Sequence, residues 1–218
     1  MTRFSITPAG RPRPVAHWSP SGVLLAWAGV VPFVLGGMAI FGWYTHCLVL
    51  LRWQAGMNPI VFDSALALAL LGFSLLALAA GRRRWVFPGA AGTAVIGLLS
   101  CAEIFSGRSL GIDQAFVRAW AVAPGHVPGQ MAPNAAIGYL VAGAALLVAS
   151  RGPGRYRDAV VGVAGSATFA LGAVAVFGYA TAPFGYRRGD REPSAARFVA
   201  VHGVPMWPGV PPRAAHAR

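Results

Sequence analysis

Apolar residues run through this chain in long, nearly unbroken stretches, without the two-residue alternation of a half-buried strand or the narrow stripe of a surface helix. Five stretches are long enough, at about 1.5 Å per residue, to cross or nearly cross a hydrocarbon core of roughly 30 Å. They lie at 22–44, 60–80, 87–106, 134–150 and 159–180. The fourth is short, so it is expected to draw in Ala132 and Pro133 or to sit where the bilayer thins. The pattern predicts an all-α polytopic bundle of about five transmembrane helices over 22–180. A basic segment, 1–21, precedes it and a Pro/Arg-rich tail, 181–218, read as disordered, follows. Pro32, close to Gly36 and Gly37, is expected to kink the first helix.

The polar positions show that the pattern repeats. Asp63-Ser-Ala-Leu, Gly72 and Leu75-Leu76 align with Asn134-Ala-Ala-Ile, Gly143 and Leu146-Leu147 at a constant offset of 71 residues. Phe41-Gly-Trp, Phe105-Ser-Gly and Phe177-Gly-Tyr each end an apolar stretch ahead of an expected start of this motif, but only the first two starts are followed by it. The chain therefore reads as a helix pair, a second helix pair, then a single helix and a tail. Small residues recur every four positions at Gly89, Thr93, Gly97 and Cys101 in the third span and at Gly162, Ser166 and Ala170 in the fifth. These faces are expected to let helix backbones approach, although Gly and Ala are common throughout this composition.

Composition makes the membrane reading firm. The 218 residues are 56% hydrophobic and 11% charged, with a mean hydropathy of +0.58. A globule of this size could not hide that much apolar surface from water. The net charge of +12 comes from eighteen Arg without any Lys. The arginines cluster between apolar stretches as topology signals do, and no basic stripe interleaved with aromatics points to nucleic acid. Cys47 and Cys101 give neither a disulfide framework nor a CxxC spacing, and Cys101 reads as a small packing residue. The first apolar run is too long for a signal-peptide core and no small-residue cleavage pattern follows it, so it is expected to be a retained span.

Arg3, Arg11 and Arg13, Arg82 to Arg84, and Arg151, Arg155 and Arg157 fall on one side of the expected topology; Arg52, Arg108 and Arg118 fall on the other. That asymmetry puts the N-terminus in the cytoplasm. Trp85 and Trp43-Tyr44 are placed as interfacial anchors. The tail conflicts with this topology, because Arg187, Arg188, Arg191, Arg197, Arg213 and Arg218 would then lie outside. Either the topology is off by one span or the tail did not arise as an extracytoplasmic loop. Its composition reads as GC-rich DNA translated out of frame or as a disordered appendage.

Glu103 is the first candidate for function, since ionisable groups at membrane depth are expensive. It reads either as a carboxylate at headgroup level or paired with Arg108 or Arg118, or as a polar group facing the bundle in an outer pocket. Asp113, Arg118 and His126 lie in the long connection between the third and fourth spans, a natural place to meet a ligand. Asp63 and Asn134 start equivalent spans and read as helix caps. His46 and His126 lie outside the spans and do not suggest a haem pair. Without HExxH, GxSxG, phosphate-loop or kinase signatures, no catalytic residue, metal site or cofactor is expected, and the chain is not read as an enzyme.

Met57 to Gly72, Glu103-Ile-Phe with Leu110-Gly-Ile-Asp-Gln, and the run from Pro128-Gly-Gln-Met-Ala-Pro-Asn to Leu147 resemble a known family. It is the multi-span membrane sensory region placed ahead of PAS, histidine kinase or diguanylate cyclase domains in bacterial signalling proteins. The resemblance covers roughly 22–180 and implies three helix pairs, each second helix opening with a Met-x-x-Asn-Thr-Ala type motif. Asp63-Ser64 stands here for Asn-Thr, Ala135 for Thr and Gln130 for Arg; the third motif, the sixth helix and an output domain are missing. It implies a signal-input module of the bacterial inner membrane, working through a kinase or cyclase partner and able to form a homodimer in the lipid bilayer. A small transporter or channel, or a non-catalytic assembly subunit, is the alternative.

Overall fold

The computed structural model describes residues 20–52, 58–108, 110–111, 116–121, 128–151, 154 and 156–185. The expectations for the basic segment up to residue 19 and for the tail from Tyr186 lie outside them, while residues 181–185, expected in the disordered tail, continue the last helix. Regular structure among the described residues is helical throughout: α1 (Pro20–Thr45), α2 (Leu48–Leu51), α3 (Phe62–Ala79), α4 (Arg83–Ser106), α5 (Pro133–Ser150) and α6 (Arg157–Gly185). All but α2 are long and apolar enough to cross a membrane. The chain divides into two compact units, Met1–Ala175 and Val176–Arg218, the described part of the second being the last turns of α6.

Helix boundaries follow local chemistry. α4 starts one turn earlier than the apolar run suggested, taking Arg83, Arg84 and Trp85 into its first turn and Pro88 into its body. At its other end Gly107 adopts the left-handed conformation (φ 62°) and its N–H returns to the Glu103 carbonyl at 2.9 Å, the usual role of Gly after a helix. α5 has Pro133 at its first position, where the missing N–H is harmless.

Packing within Met1–Ala175 is built on glycine. α1 and α3 run antiparallel, and a Cβ added at Gly36 would lie 2.6 Å from the Ala69 backbone N and 2.7 Å from the Ala65 carbonyl. α4 and α5 repeat the arrangement: a Cβ at Gly97 would lie 2.5 Å from the Leu140 N and 2.8 Å from the Ala136 carbonyl. In return Gly72 of α3 meets Phe33 and Gly29, and Gly143 of α5 meets Ala94. Such closeness gives backbones the dispersion contact that a lipid solvent cannot supply by exclusion. The helix limits repeat as well. α1 ends at Thr45 and α4 at Ser106, 61 residues apart; α3 begins at Phe62 and α5 at Pro133, 71 apart.

α3 joins the pairs by packing against α4. Thr93 Oγ1 donates 3.4 Å to the Ala67 carbonyl and Ser74 Oγ 3.3 Å to that of Val86, while Ala77, Val86, Ala90 and Leu146 form one buried cluster. The small-residue face of α4 thus serves two neighbours, with Gly89 and Thr93 toward α3 and Gly97 and Cys101 toward α5. The corresponding face of α6 differs from expectation. Gly162 has nothing within 4 Å of an added Cβ, Ser166 and Ala170 are exposed, and no described α6 residue in its apolar window is buried.

Candidate functional site

The two helix pairs present one end that holds the described residues of 46–61 and 107–132, here the loop end, and another that holds the tight turn 80–82 and the described residues of 151–156, here the arginine end. Buried polar chemistry concentrates at the loop end. There the chain leaves α1 through His46 in a left-handed conformation (φ 55°), makes the short helix α2, and returns so that the Ile60 N–H donates 2.9 Å to the Leu51 carbonyl.

Trp43 anchors one half of this end. Its indole, 1% exposed, donates 2.9 Å to the Ile60 carbonyl. The sequence placed Trp43 as an interfacial anchor, and the structure corrects this: it is a core residue, whereas Tyr44 and Trp85 are exposed. From the long connection, the Trp120 indole donates 3.2 Å to the Trp43 carbonyl and its ring meets Trp43 edge-on at 5.4 Å. His46 lies 4.9 Å from Trp120, and Phe116 lies 6.0 Å from Phe62. Residues 116–121 therefore fold across the end of α1 and the start of α3.

The other half carries two carboxyls. Glu103, in the last turn of α4, is 4% exposed; its Oε1 accepts the Leu110 backbone N–H, and its Oε2 is buried without a hydrogen-bond partner. Asp63, in the first turn of α3, is also 4% exposed, and because α3 packs antiparallel on α4 both carboxyls lie at the loop end. Beside them Tyr139 Oη donates 3.2 Å to the Ser64 carbonyl, tying α5 to α3, and Met131 packs with Cys101, Ala136, Val61 and Ile104.

The structure revises several expected roles. Glu103 faces the bundle and is not paired with Arg108 or Arg118, which are both exposed; the ion pair among the described residues is Arg157–Asp158 at 3.9 Å. Asp63 and Asn134 are not caps. The N-cap positions are Val61 and Ala132, without side-chain cap bonds, and Asp63 and Asn134 are the second helical residues, Asp63 buried and Asn134 exposed. An acidic group there still favours the positive end of a helix dipole. Asp113 and His126 lie outside the described residues. Trp120, Tyr139 and Leu110 were not singled out as site residues, because their roles depend on how the long connection and α5 meet α3 and α4. Among the described residues no group of three or more His, Cys, Asp or Glu is placed to hold a metal ion.

Comparison with known protein families, with curated proteins and with solved structures finds no match to this chain. The five apolar helices and the absence of strands among the described residues define a multi-pass, all-α membrane protein.

Proposed function

We propose that the chain is a signal-input module of the bacterial inner membrane, whose loop end receives a stimulus and passes it, through displacement of helices, to a separate cytoplasmic kinase or cyclase. The observation that carries this reading is the pair of buried carboxyls at the loop end. Intramembrane ionisable groups mark function by default, and this pair sits at the end where residues 116–121 fold across α1 and α3. The family resemblance over 22–180 supports the same reading.

A transporter would place polar or unwound segments near mid-membrane. Here the middles of α1, α3, α4 and α5 meet through glycine and alanine, with Ser74 and Thr93 bonded to backbone carbonyls. That favours input over transport. The test pairs the full chain in native-like membranes with histidine kinases and diguanylate cyclases from its own genome. An output from one partner that changes with Glu103→Gln, in a protein inserted at wild-type level, is the expected result. Solute uptake into proteoliposomes, lost in the same variant and without any effect on a partner's output, would replace this reading with the transport one.

A further inference from the structure

Asp63 and Glu103 come from neighbouring antiparallel helices and are each only 4% exposed. A buried carboxylate is tolerated when a cation or a full set of donors meets it. For Glu103 neither condition is fulfilled by this chain's described side chains. Arg108 and Arg118 are exposed, and Arg52 makes no ion pair with either carboxyl. One oxygen of Glu103 already accepts a backbone N–H from Leu110, which holds the side chain in place. The other, Oε2, is buried and has no hydrogen-bond partner.

We infer that Asp63 and Glu103 together bind a single ammonium group, a monocation that donates hydrogen bonds, with Glu103 Oε2 as its principal acceptor. The inference rests on the reading of the loop end as the input site and names the class of ligand that site takes. An ammonium group brings both missing elements at once. Its positive charge offsets the Glu103 carboxylate, and its several N–H groups would serve the open acceptor on α4 and, at once, the carboxyl on α3. A divalent metal fits less well, since the described residues offer two carboxyls and no third His, Cys, Asp or Glu ligand. Because the acceptors lie on different helices, occupancy would draw the end of α4 toward the start of α3, which is a differential contact of the kind a conformational signal needs.

The test uses the full chain in lipid nanodiscs at constant ionic strength, titrated with methylammonium chloride, tetramethylammonium chloride or sodium chloride. Intrinsic tryptophan fluorescence and thermal unfolding are the readouts. Methylammonium is expected to give a saturable fluorescence change and a higher unfolding midpoint. Tetramethylammonium, equal in charge but without N–H donors, and sodium are expected to give neither. Glu103→Gln, which keeps an oxygen for the Leu110 N–H, should weaken methylammonium binding by about tenfold or more, as expected for a lost charged hydrogen bond. Asp63→Asn should weaken it as well.

An equal response to all three salts, saturation by sodium, or wild-type affinity in Glu103→Gln would each overturn the proposal. Infrared difference spectra of the wild-type protein supply a readout that does not depend on a folded variant. A carboxylate shift that saturates with methylammonium and is absent with tetramethylammonium supports the ammonium site, whereas no carboxyl or carboxylate change at saturating methylammonium overturns it. Failure of binding leaves the signal-input reading standing on its partner assay, and failure of the partner assay leaves the binding result intact.

Discussion

At the residue scale, Trp43 does two jobs with one side chain. Its ring closes the gap between α1 and the start of α3, and its N–H satisfies the Ile60 carbonyl in a segment that has left regular structure. Trp43→Phe keeps most of the ring and removes the donor. It should destabilise the protein by about 1 kcal/mol, read as a lower midpoint in detergent-induced unfolding. Tyr139→Phe removes the bond from α5 to the Ser64 carbonyl and should lower the same midpoint less, by roughly 0.6 kcal/mol. Hydropathy located Trp43, Asp63 and Glu103 near a membrane boundary, but depth does not specify which way a side chain points around its helix. For that reason Trp43 read as an anchor and Asp63 as a cap, although both face inward. A usable signal was present: Asp63 and Glu103 lie on helices joined by the tight turn at Gly81, both in the turn farthest from it. An antiparallel hairpin brings such positions to the same end of the bundle.

At the element scale, glycine decides which helices pair. Gly97 stands where a Cβ would press on the Leu140 backbone, whereas Gly162 faces open space. Gly97→Ala should therefore force α4 and α5 apart and destabilise the protein by roughly 1–3 kcal/mol. Gly162→Ala should be neutral or stabilise α6 by up to about 1 kcal/mol through helix propensity. Unfolding curves of the two variants measured side by side check this contrast, and equal losses would contradict the packing described. Apolar length made five long helices legible and the spacing of Gly89, Thr93 and Gly97 made one contact face legible. The same spacing in α6 misled, because a periodic row of small residues allows a close approach without supplying a partner. The four-residue α2 was beyond reach, being held by backbone bonds around His46 and Ile60 rather than by any pattern of its own.

At the scale of the whole molecule, the arginine asymmetry and the repeated pairs fix different things. The repeat sets which ends lie together, and the charges predict which end faces the cytoplasm. In a background of Cys47→Ser and Cys101→Ala, a membrane-impermeant thiol reagent should label Gln130→Cys in intact cells. It should reach Gly154→Cys only after permeabilisation; the reverse order would invert the proposed topology. The offset of 71 residues seen in the sequence reappears between α3 and α5, while α1 and α4 are spaced by 61, because the connection at the second loop end is longer than that at the first. The correspondence between first helices was marked in the sequence by Phe41-Gly-Trp and Phe105-Ser-Gly rather than by the constant offset, and the glycine contacts show which backbones meet. Each pair has close glycine contacts of its own, at Gly36 and Gly72 and at Gly97 and Gly143, and the surroundings of Gly81 are open, so covalent continuity there is expected to be dispensable for assembly. Two polypeptides divided after Gly81 and produced in the same membrane should find each other and co-purify as a nicked version of the intact protein.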